Sequence, residues 1–162
     1  LVEVVNIHDE SLIIEPIHRV VFDTASDRLF AFAKEFFAQK GCAIQPAAQS
    51  HEGEQSFAFV CGNEKQYFQL QNPAWALAVA SVQAMLDAYV QATGVKIDYI
   101  HGDEDLKELA AQDNAIGFLL PAMEKSQLFR GVIADGILPR KTFSMGHARE
   151  KRYYLEGRKI IK

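Results

Sequence analysis

The sequence predicts a single α/β (α+β) domain, in which a mixed β-sheet carries helices packed on it. Four segments repeat apolar residues at helical spacing. Other runs are short, rich in aromatic and β-branched residues, and bounded by Gly, Pro or Asn. The two kinds of segment are interleaved along the chain, and 162 residues suit one domain with a sizeable core.

The first segments predict strands and then a helix. Residues 2–8 predict a strand, and residues 12–22 predict a further extended stretch in which Pro16 marks an edge or a bulge. A helix is predicted near residues 26–40. Thr24 and Asp27 form a weak capping box before it, and Gly41 supplies its left-handed end.

A hairpin and the longest helix follow. Residues 56–71 contain two aromatic-rich runs joined at Gly62 and Asn63, which predicts a β-hairpin. Asn72 and Pro73 are typical of a helix start, so a helix is predicted over residues 74–93, ending at Gly94. Its apolar stripe predicts packing against the core.

The second half alternates strands and helices. Strands are predicted at residues 95–100 and 115–120, with a helix at 103–112 between them. A further helix is predicted at 122–135, and a last strand runs through residues 153–155. The side chains of the 122–135 helix that are predicted to face inward are Leu128, Phe129, Val132 and Ile133.

Composition excludes several classes of function. The net charge is −4 without a basic tail, which argues against a nucleic-acid partner. No apolar run approaches the roughly 20 residues that span a bilayer, so no membrane contact is expected. Cys42 and Cys61 predict two reduced thiols in a cytoplasmic protein. The five histidines form no HxH or HExxH pattern, so no metal site is predicted.

His18 and Arg19 follow the predicted kink at Pro16. Neighbouring residues of a strand point to opposite faces, so one of the two side chains could line a cleft while the other is solvated. Two interpretations stay open. The pair could be an edge-strand pair with surface partners, or Arg19 could bind an anion.

Two more clusters could carry chemistry. His101 and the acids at 103–105 could bind a cation, but the same acids are typical of a helix start. Arg140, Lys141, Thr142 and Ser144 gather two cations and two hydroxyls beside a glycine turn, which suits a phosphate or carboxylate. The alternative is a polar connection between a helix and a strand. We expect His18 or Arg19 to lie at one cleft with Lys141 and Thr142.

Several stretches resemble the family called domain of unknown function 1015. Residues 5–10 (VNIHDE) and 14–19 (IEPIHR) resemble its VNxxDexLxxxPtHR pattern, and 132–142 (VIADGILPRKT) resemble vAdaGxxmPxKsT. The likeness continues at residues 115–120, and residues 143–156 are similar to one branch of the family. Five residues fall on the family's recurring positions: Pro16, His18, Arg19, Lys141 and Thr142. Ile17 replaces the usual Thr.

The resemblance implies that this chain is the C-terminal half of a longer protein. The start at Leu1, directly inside an apolar run, leads to the same expectation. The family's N-terminal half carries an Asp-Gly-His-His-Arg motif similar to that of ParB and sulfiredoxin-like domains, some of which are kinases of free serine. We therefore expect a nucleotide cofactor in the full-length protein and no catalysis or cofactor in this part alone. The alternative is a self-sufficient module that binds a small molecule or an anion.

Overall fold

The computed structural model describes residue 4 and residues 6–147. The strand predicted through residues 153–155 and most of the one predicted at 2–8 lie outside the described residues. Ile7 and His8, which are described, form a turn rather than a strand.

The described part of the chain contains seven strands and four helices. The strands are β1 (Ile14–Val21), β2 (Ala43–Ala47), β3 (Ser56–Cys61), β4 (Glu64–Gln71), β5 (Ile97–His101), β6 (Ile116–Leu119) and β7 (Phe143–Met145). The helices are α1 (Ser26–Gln39), α2 (Ala78–Thr93), α3 (Asp103–Ala110) and α4 (Gln127–Asp135).

The strands form one sheet in the order β2-β4-β3-β6-β1-β5, and β7 pairs with the start of β1. The predicted fold class, an α/β domain with helices packed on a sheet, is confirmed, although the pairs of described strands are antiparallel and not mixed. All six strand pairs among the described residues are antiparallel. β5 and β6 run in the same direction, but β1 lies between them, so the sheet has no parallel neighbours in this region.

Strand β1 is central and divides the core. Val21 belongs to a large apolar cluster with α1 and α2 on one face, whereas Val20 belongs to a smaller cluster with α3 on the other. Because strand residues alternate between faces, Arg19 lies on the α2 face and His18 lies on the α3 face. The sequence predicts Pro16 at an edge or a bulge. In the structure it lies in the first part of β1, which pairs with β7, and it is opposite Phe143.

One helix start and one helix cap differ from the prediction. Helix α2 begins at Ala78 rather than near residue 74, because Asn72 adopts a left-handed conformation with φ 53° and turns the chain instead of capping a helix. Its predicted end is confirmed, since Gly94 is a left-handed C-cap. Thr24 does not cap α1; its hydroxyl forms a 2.6 Å hydrogen bond with the Tyr89 hydroxyl.

Helix α4 begins at Gln127, and the prediction that its apolar residues face inward is wrong for three of four. Leu128 packs against the core. Phe129, Val132 and Ile133 are exposed. The reason is that α4 contacts the body through Gly131, where an added Cβ would lie 3.1 Å from Leu77. That contact turns the apolar stripe outward.

The remaining predictions concern short segments. The hairpin at 56–71 is confirmed as β3 and β4. The sequence missed two strands, β2, which pairs with β4, and β7, which pairs with β1.

Cys42 is buried, Cys61 is half-buried, and both thiols are free. Among the described residues, no helix has the length and apolar character needed to cross a bilayer.

Candidate functional site

Three cationic side chains surround the ring of Tyr99. The guanidinium carbons of Arg19 and Arg140 each lie 5.2 Å from the ring centroid, and the Lys141 ammonium lies 5.0 Å from it. Tyr99 is opposite Arg19 in the β1–β5 register, and the other two cations come from the loop between α4 and β7. We refer to Arg19, Tyr99, Arg140 and Lys141 as the Tyr99 cluster. Cations are attracted to the electron-rich face of an aromatic ring.

Arg19 is fully buried and holds this loop in place. Its Nη2 donates hydrogen bonds to the backbone carbonyls of Lys141 at 3.1 Å and Arg140 at 3.4 Å. Its Nη1 donates to the carbonyl of Ile17. Burial lowers the pKa of Arg19 to about 10, while the charges of Tyr99 and Asp87 raise it. Arg19 therefore stays cationic at neutral pH.

Gln83 of α2 connects the cluster to the helix layer. Its Oε1 accepts a 3.1 Å hydrogen bond from Arg19 Nε, and its Nε2 donates to Asp87 Oδ1 at 2.8 Å. The same Nε2 donates a 3.2 Å hydrogen bond to the Tyr99 hydroxyl. That hydroxyl also accepts a 2.9 Å hydrogen bond from Arg140 Nε. The network fixes the orientation of Tyr99 and Arg140 together.

The backbone of the loop is unusual at Lys141, which has a left-handed φ of 54°. A side chain with a Cβ rarely adopts this conformation, and it costs roughly 1–2 kcal/mol. The Arg19 bond to the Lys141 carbonyl and the 2.5 Å bond from Thr142 Oγ1 to the Pro139 carbonyl hold it. Residues in such conformations cluster at ligand sites when surrounding contacts enforce them.

A cavity of about 360 Å³ lies beside the cluster. Its volume falls in the range of small-molecule sites. Its polar lining includes Gln83, Asp87, Asp135 and Arg140, and the indole of Trp75 forms part of its wall. Asp135 is held by a 2.7 Å hydrogen bond from the Ala76 backbone N–H. The cavity therefore presents both signs of charge next to an aromatic surface.

His18 lies on the other face of the sheet, away from the Tyr99 cluster. Its Nδ1 accepts a 3.1 Å hydrogen bond from the Leu120 backbone N–H, so its Nε2 carries the proton that bonds Asp103 Oδ1 at 2.9 Å. The hydrogen bond from His18 lowers the pKa of Asp103 although burial raises it. The idea that one of His18 and Arg19 is solvated is wrong, since both are buried.

A second titratable cluster lies on the same face of β1 as Arg19. The two carboxylate oxygens of Glu15 each form a hydrogen bond with an imidazole, one with His101 Nε2 and one with His147 Nδ1. Burial raises the pKa of Glu15, but the bonds with His147 and His101 together lower it below its usual value. No group of three or more His, Cys, Asp or Glu within the described part of the chain is arranged to hold a metal ion.

The structure brings together part of the site that the sequence predicts. Arg19, Arg140 and Lys141 meet at Tyr99, and Thr142 holds the turn behind them. Ser144 is buried in β7 opposite Glu15. The sequence did not predict the roles of Tyr99 and Gln83, or the contact of Glu15 with His101 and His147. Strand pairing and the position of α2 against the sheet bring these residues together, and no local sequence motif indicates either.

The comparisons with known proteins identify the family. A family model described as "Protein of unknown function (DUF1015)" matches residues 1–89. The chain belongs to this family. A search of curated proteins finds no match.

Solved structures share the fold of this DUF1015 chain. A variant of a free serine kinase in complex with ADP has a TM-score of 0.61 and 14% identity, with 88% of this chain and 57% of that chain covered. The free serine kinase in complex with AMP has a TM-score of 0.60 and 15% identity, with the same coverage. A conserved hypothetical protein from Pyrococcus furiosus has a TM-score of 0.61 and 17% identity, with 89% and 60% covered. The chain thus spans 57–60% of the length of these proteins.

Proposed function

We propose that this chain is part of a nucleotide-dependent enzyme that transfers a phosphoryl group to the hydroxyl of a small molecule. The observation that supports this most strongly is the Tyr99 cluster beside its cavity. Three cations converge there in a chain whose net charge is −4. Phosphoryl transfer is catalysed mainly by positioning and by cations that stabilise the charge on the phosphoryl oxygens.

The cations divide into two roles in this proposal. Arg140 and Lys141 are exposed and bind phosphate oxygens directly. Arg19 is buried, and its donors are committed to Gln83 and to backbone carbonyls, so it is a positioning residue that presents the other two. His18 and Thr142 act only through the fold, because their polar atoms are occupied by Asp103, Leu120 and Pro139.

The structural relatives support the reaction class. A kinase of free serine, seen with ADP and with AMP, has the same fold over 88% of this chain. In the proposed reaction, the hydroxyl oxygen of the acceptor bonds to the terminal phosphorus of a nucleotide donor, ATP or ADP. The bond to the bridging oxygen breaks, the nucleotide leaves with one phosphate fewer, as ADP or AMP, and the hydroxyl proton is released.

The remaining parts of the enzyme are assigned to the N-terminal half of the same protein, which is also the partner we propose. The chain spans 57–60% of the relatives' length, so part of such an enzyme has no counterpart here. The proposed location is the cytoplasm, where nucleoside triphosphates are available. We propose no nucleic-acid or membrane partner, in line with the acidic composition.

The test is a side-by-side assay of this chain and the full-length protein. Each is incubated with ATP or with ADP and a panel of small hydroxyl compounds that begins with free serine, and release of the nucleotide product, ADP or AMP, is measured. We expect acceptor-dependent release of this product from the full-length protein and none from this chain. Turnover by this chain alone, or no turnover with any acceptor by a folded full-length protein, contradicts the proposal.

A second candidate function is a self-sufficient module that binds a small anion. It is favoured by one observation, namely that every residue of the Tyr99 cluster belongs to this chain. Pyrophosphate or ADP would then raise the melting temperature of this chain without turnover in either form of the protein, because a ligand that binds only the folded state stabilises it.

A further inference from the structure

Helix α4 and the turn after it carry an exposed apolar stripe, which we define as Phe129, Val132, Ile133 and Ile137. Four of the seven exposed large apolar side chains in the described part of the chain fall within these nine residues. Ile137 is 97% exposed, Ile133 is 85% exposed and Phe129 is 63% exposed. A contiguous apolar surface of this kind marks an interaction site, whereas single scattered residues do not.

The stripe is a fixed feature of the fold. Val132 and Ile133 are three and four residues after Phe129, so these three side chains share one face of α4. Ile137 lies in the turn just beyond the helix, after Gly136. The opposite face is committed, because Gly131 packs closely against Leu77 and Leu138. The Asp135 carboxylate also ties the end of α4 to Ala76. Rotating the helix to bury the stripe would break both contacts.

The stripe also reaches the cavity beside the Tyr99 cluster. Ile137 and Asp135 line that cavity together with Arg140. A domain bound to the stripe would therefore close the open side of the cavity and exclude water from it. Small-molecule sites are often built in this way between two domains.

We propose that the stripe is the docking surface for the N-terminal half of the same polypeptide. This inference rests on the proposed function for the identity of that half. The chain spans 57–60% of the relatives' length, so about two-fifths of such a protein needs a surface to pack on.

The size of the stripe favours a tethered domain over a second copy of this chain. Four apolar side chains expose a few hundred Å², which is less than the roughly 800 Å² per partner of a stable complex between separate proteins. Interfaces between domains of one chain start at a smaller area, about 600 Å² in total. The linker raises the effective concentration of the partner, so a small interface is sufficient.

Thiol labelling tests the docking surface without any need for activity. Ile133→Cys and, as a control on the far end of α1, Gln39→Cys are made with Cys42→Ser and Cys61→Ser in both this chain and the full-length protein. A melting curve of each variant establishes that it is folded. The rate of reaction with a maleimide is then measured.

We expect Ile133→Cys to react at least about 10-fold more slowly in the full-length protein than in this chain, and Gln39→Cys to react equally fast in both. Equal rates for Ile133→Cys overturn the proposal. If Ile133→Cys in this chain reacts more slowly as the concentration of this chain is raised, the stripe binds a second copy instead, and the proposal is overturned. A gene that encodes no residues before Leu1 overturns it as well. Because labelling is independent of turnover, protection without kinase activity refutes the proposed reaction and leaves the interface standing.

Discussion

The guanidinium of Arg19 donates a 3.1 Å hydrogen bond to the backbone carbonyl of Lys141, 122 residues further along the chain. This contact joins the central strand β1 to the loop that carries both exposed cations of the Tyr99 cluster. The loop geometry, including the left-handed Lys141, therefore depends on a residue that no ligand in the cavity is expected to touch.

Replacing Arg19 should destabilise the protein. Arg19→Ala leaves a cavity and removes the donors to Gln83, Ile17 and Lys141, so we expect the free energy of unfolding to fall by roughly 3 kcal/mol. Urea denaturation measures the change. The matched variant Lys34→Ala removes an exposed cation that lies over Phe30, and it should cost less than about 0.5 kcal/mol. Equal effects of the two variants would contradict the structural role of Arg19.

Lys141 offers a test that separates its backbone from its charge. Lys141→Gly should raise the free energy of unfolding relative to Lys141→Ala by about 1 kcal/mol, because glycine adopts φ 54° without a steric cost. Both variants lose the same ammonium group and should weaken binding of pyrophosphate equally. Thermal unfolding gives the first quantity and calorimetry the second. If Lys141→Ala is the more stable variant, the left-handed conformation does not exist in solution.

The pair of His18 and Asp103 should make stability depend on pH. The pKa of Asp103 is below its ordinary 3.8 in the folded protein, mainly because of the hydrogen bond from His18. The unfolded chain therefore binds more protons at this group, and the stability from the pair is present above pH 3.8 and lost as the pH falls through the lowered folded pKa.

Acid unfolding of the wild type and Asp103→Asn measures this contribution. The stability difference between the two proteins should be largest near neutral pH and shrink below about pH 4. The comparison isolates one carboxylate, because Glu15 also has a lowered pKa and contributes equally to both proteins. A difference that is constant from pH 7 to pH 2 would contradict the assignment.

The close packing of α3 on β6 gives a prediction about the other face of the sheet. A Cβ at Gly117 would lie 3.1 Å from Leu106 and 3.2 Å from Ala110. Gly117→Ala should therefore destabilise the protein by about 1–3 kcal/mol through overpacking. Denaturant unfolding measures it, with Ala134→Gly on exposed α4 as a control that costs no more than about 1 kcal/mol. A stabilised Gly117→Ala would contradict the packing.

Local signals explain which parts of the fold the sequence predicts. Gly94 ends a helix because it adopts a left-handed conformation easily, and Gly62 with Asn63 joins two strands, so both features depend on neighbouring residues alone. The outward orientation of α4 depends instead on the contact between Gly131 and Leu77. A periodic stripe predicts one apolar face, but it does not say what covers that face.

The candidate site shows the same division. The cations at residues 140 and 141 stand side by side in the sequence and are readable there. Tyr99 joins them only because β5 pairs with β1 in a register that places it opposite Arg19. His18 is adjacent to Arg19 in sequence but faces α3, and the alternation of a strand predicts this separation once the strand is known. The contact of Glu15 with His101 and His147 depends on the pairing of β1 with both β5 and β7, which no local pattern predicts.

The central claim is that Arg140 and Lys141 bind the phosphate groups of a nucleotide in a phosphoryl-transfer reaction. The most direct measurement is acceptor-dependent release of the nucleotide product, ADP or AMP, by full-length protein carrying Arg140→Ala and Lys141→Ala, beside the wild type and Lys34→Ala. The account predicts at least about 100-fold lower kcat/KM in the double variant, with a melting temperature within about 3 °C of the wild type and with Lys34→Ala fully active. Full activity in the folded double variant would contradict it.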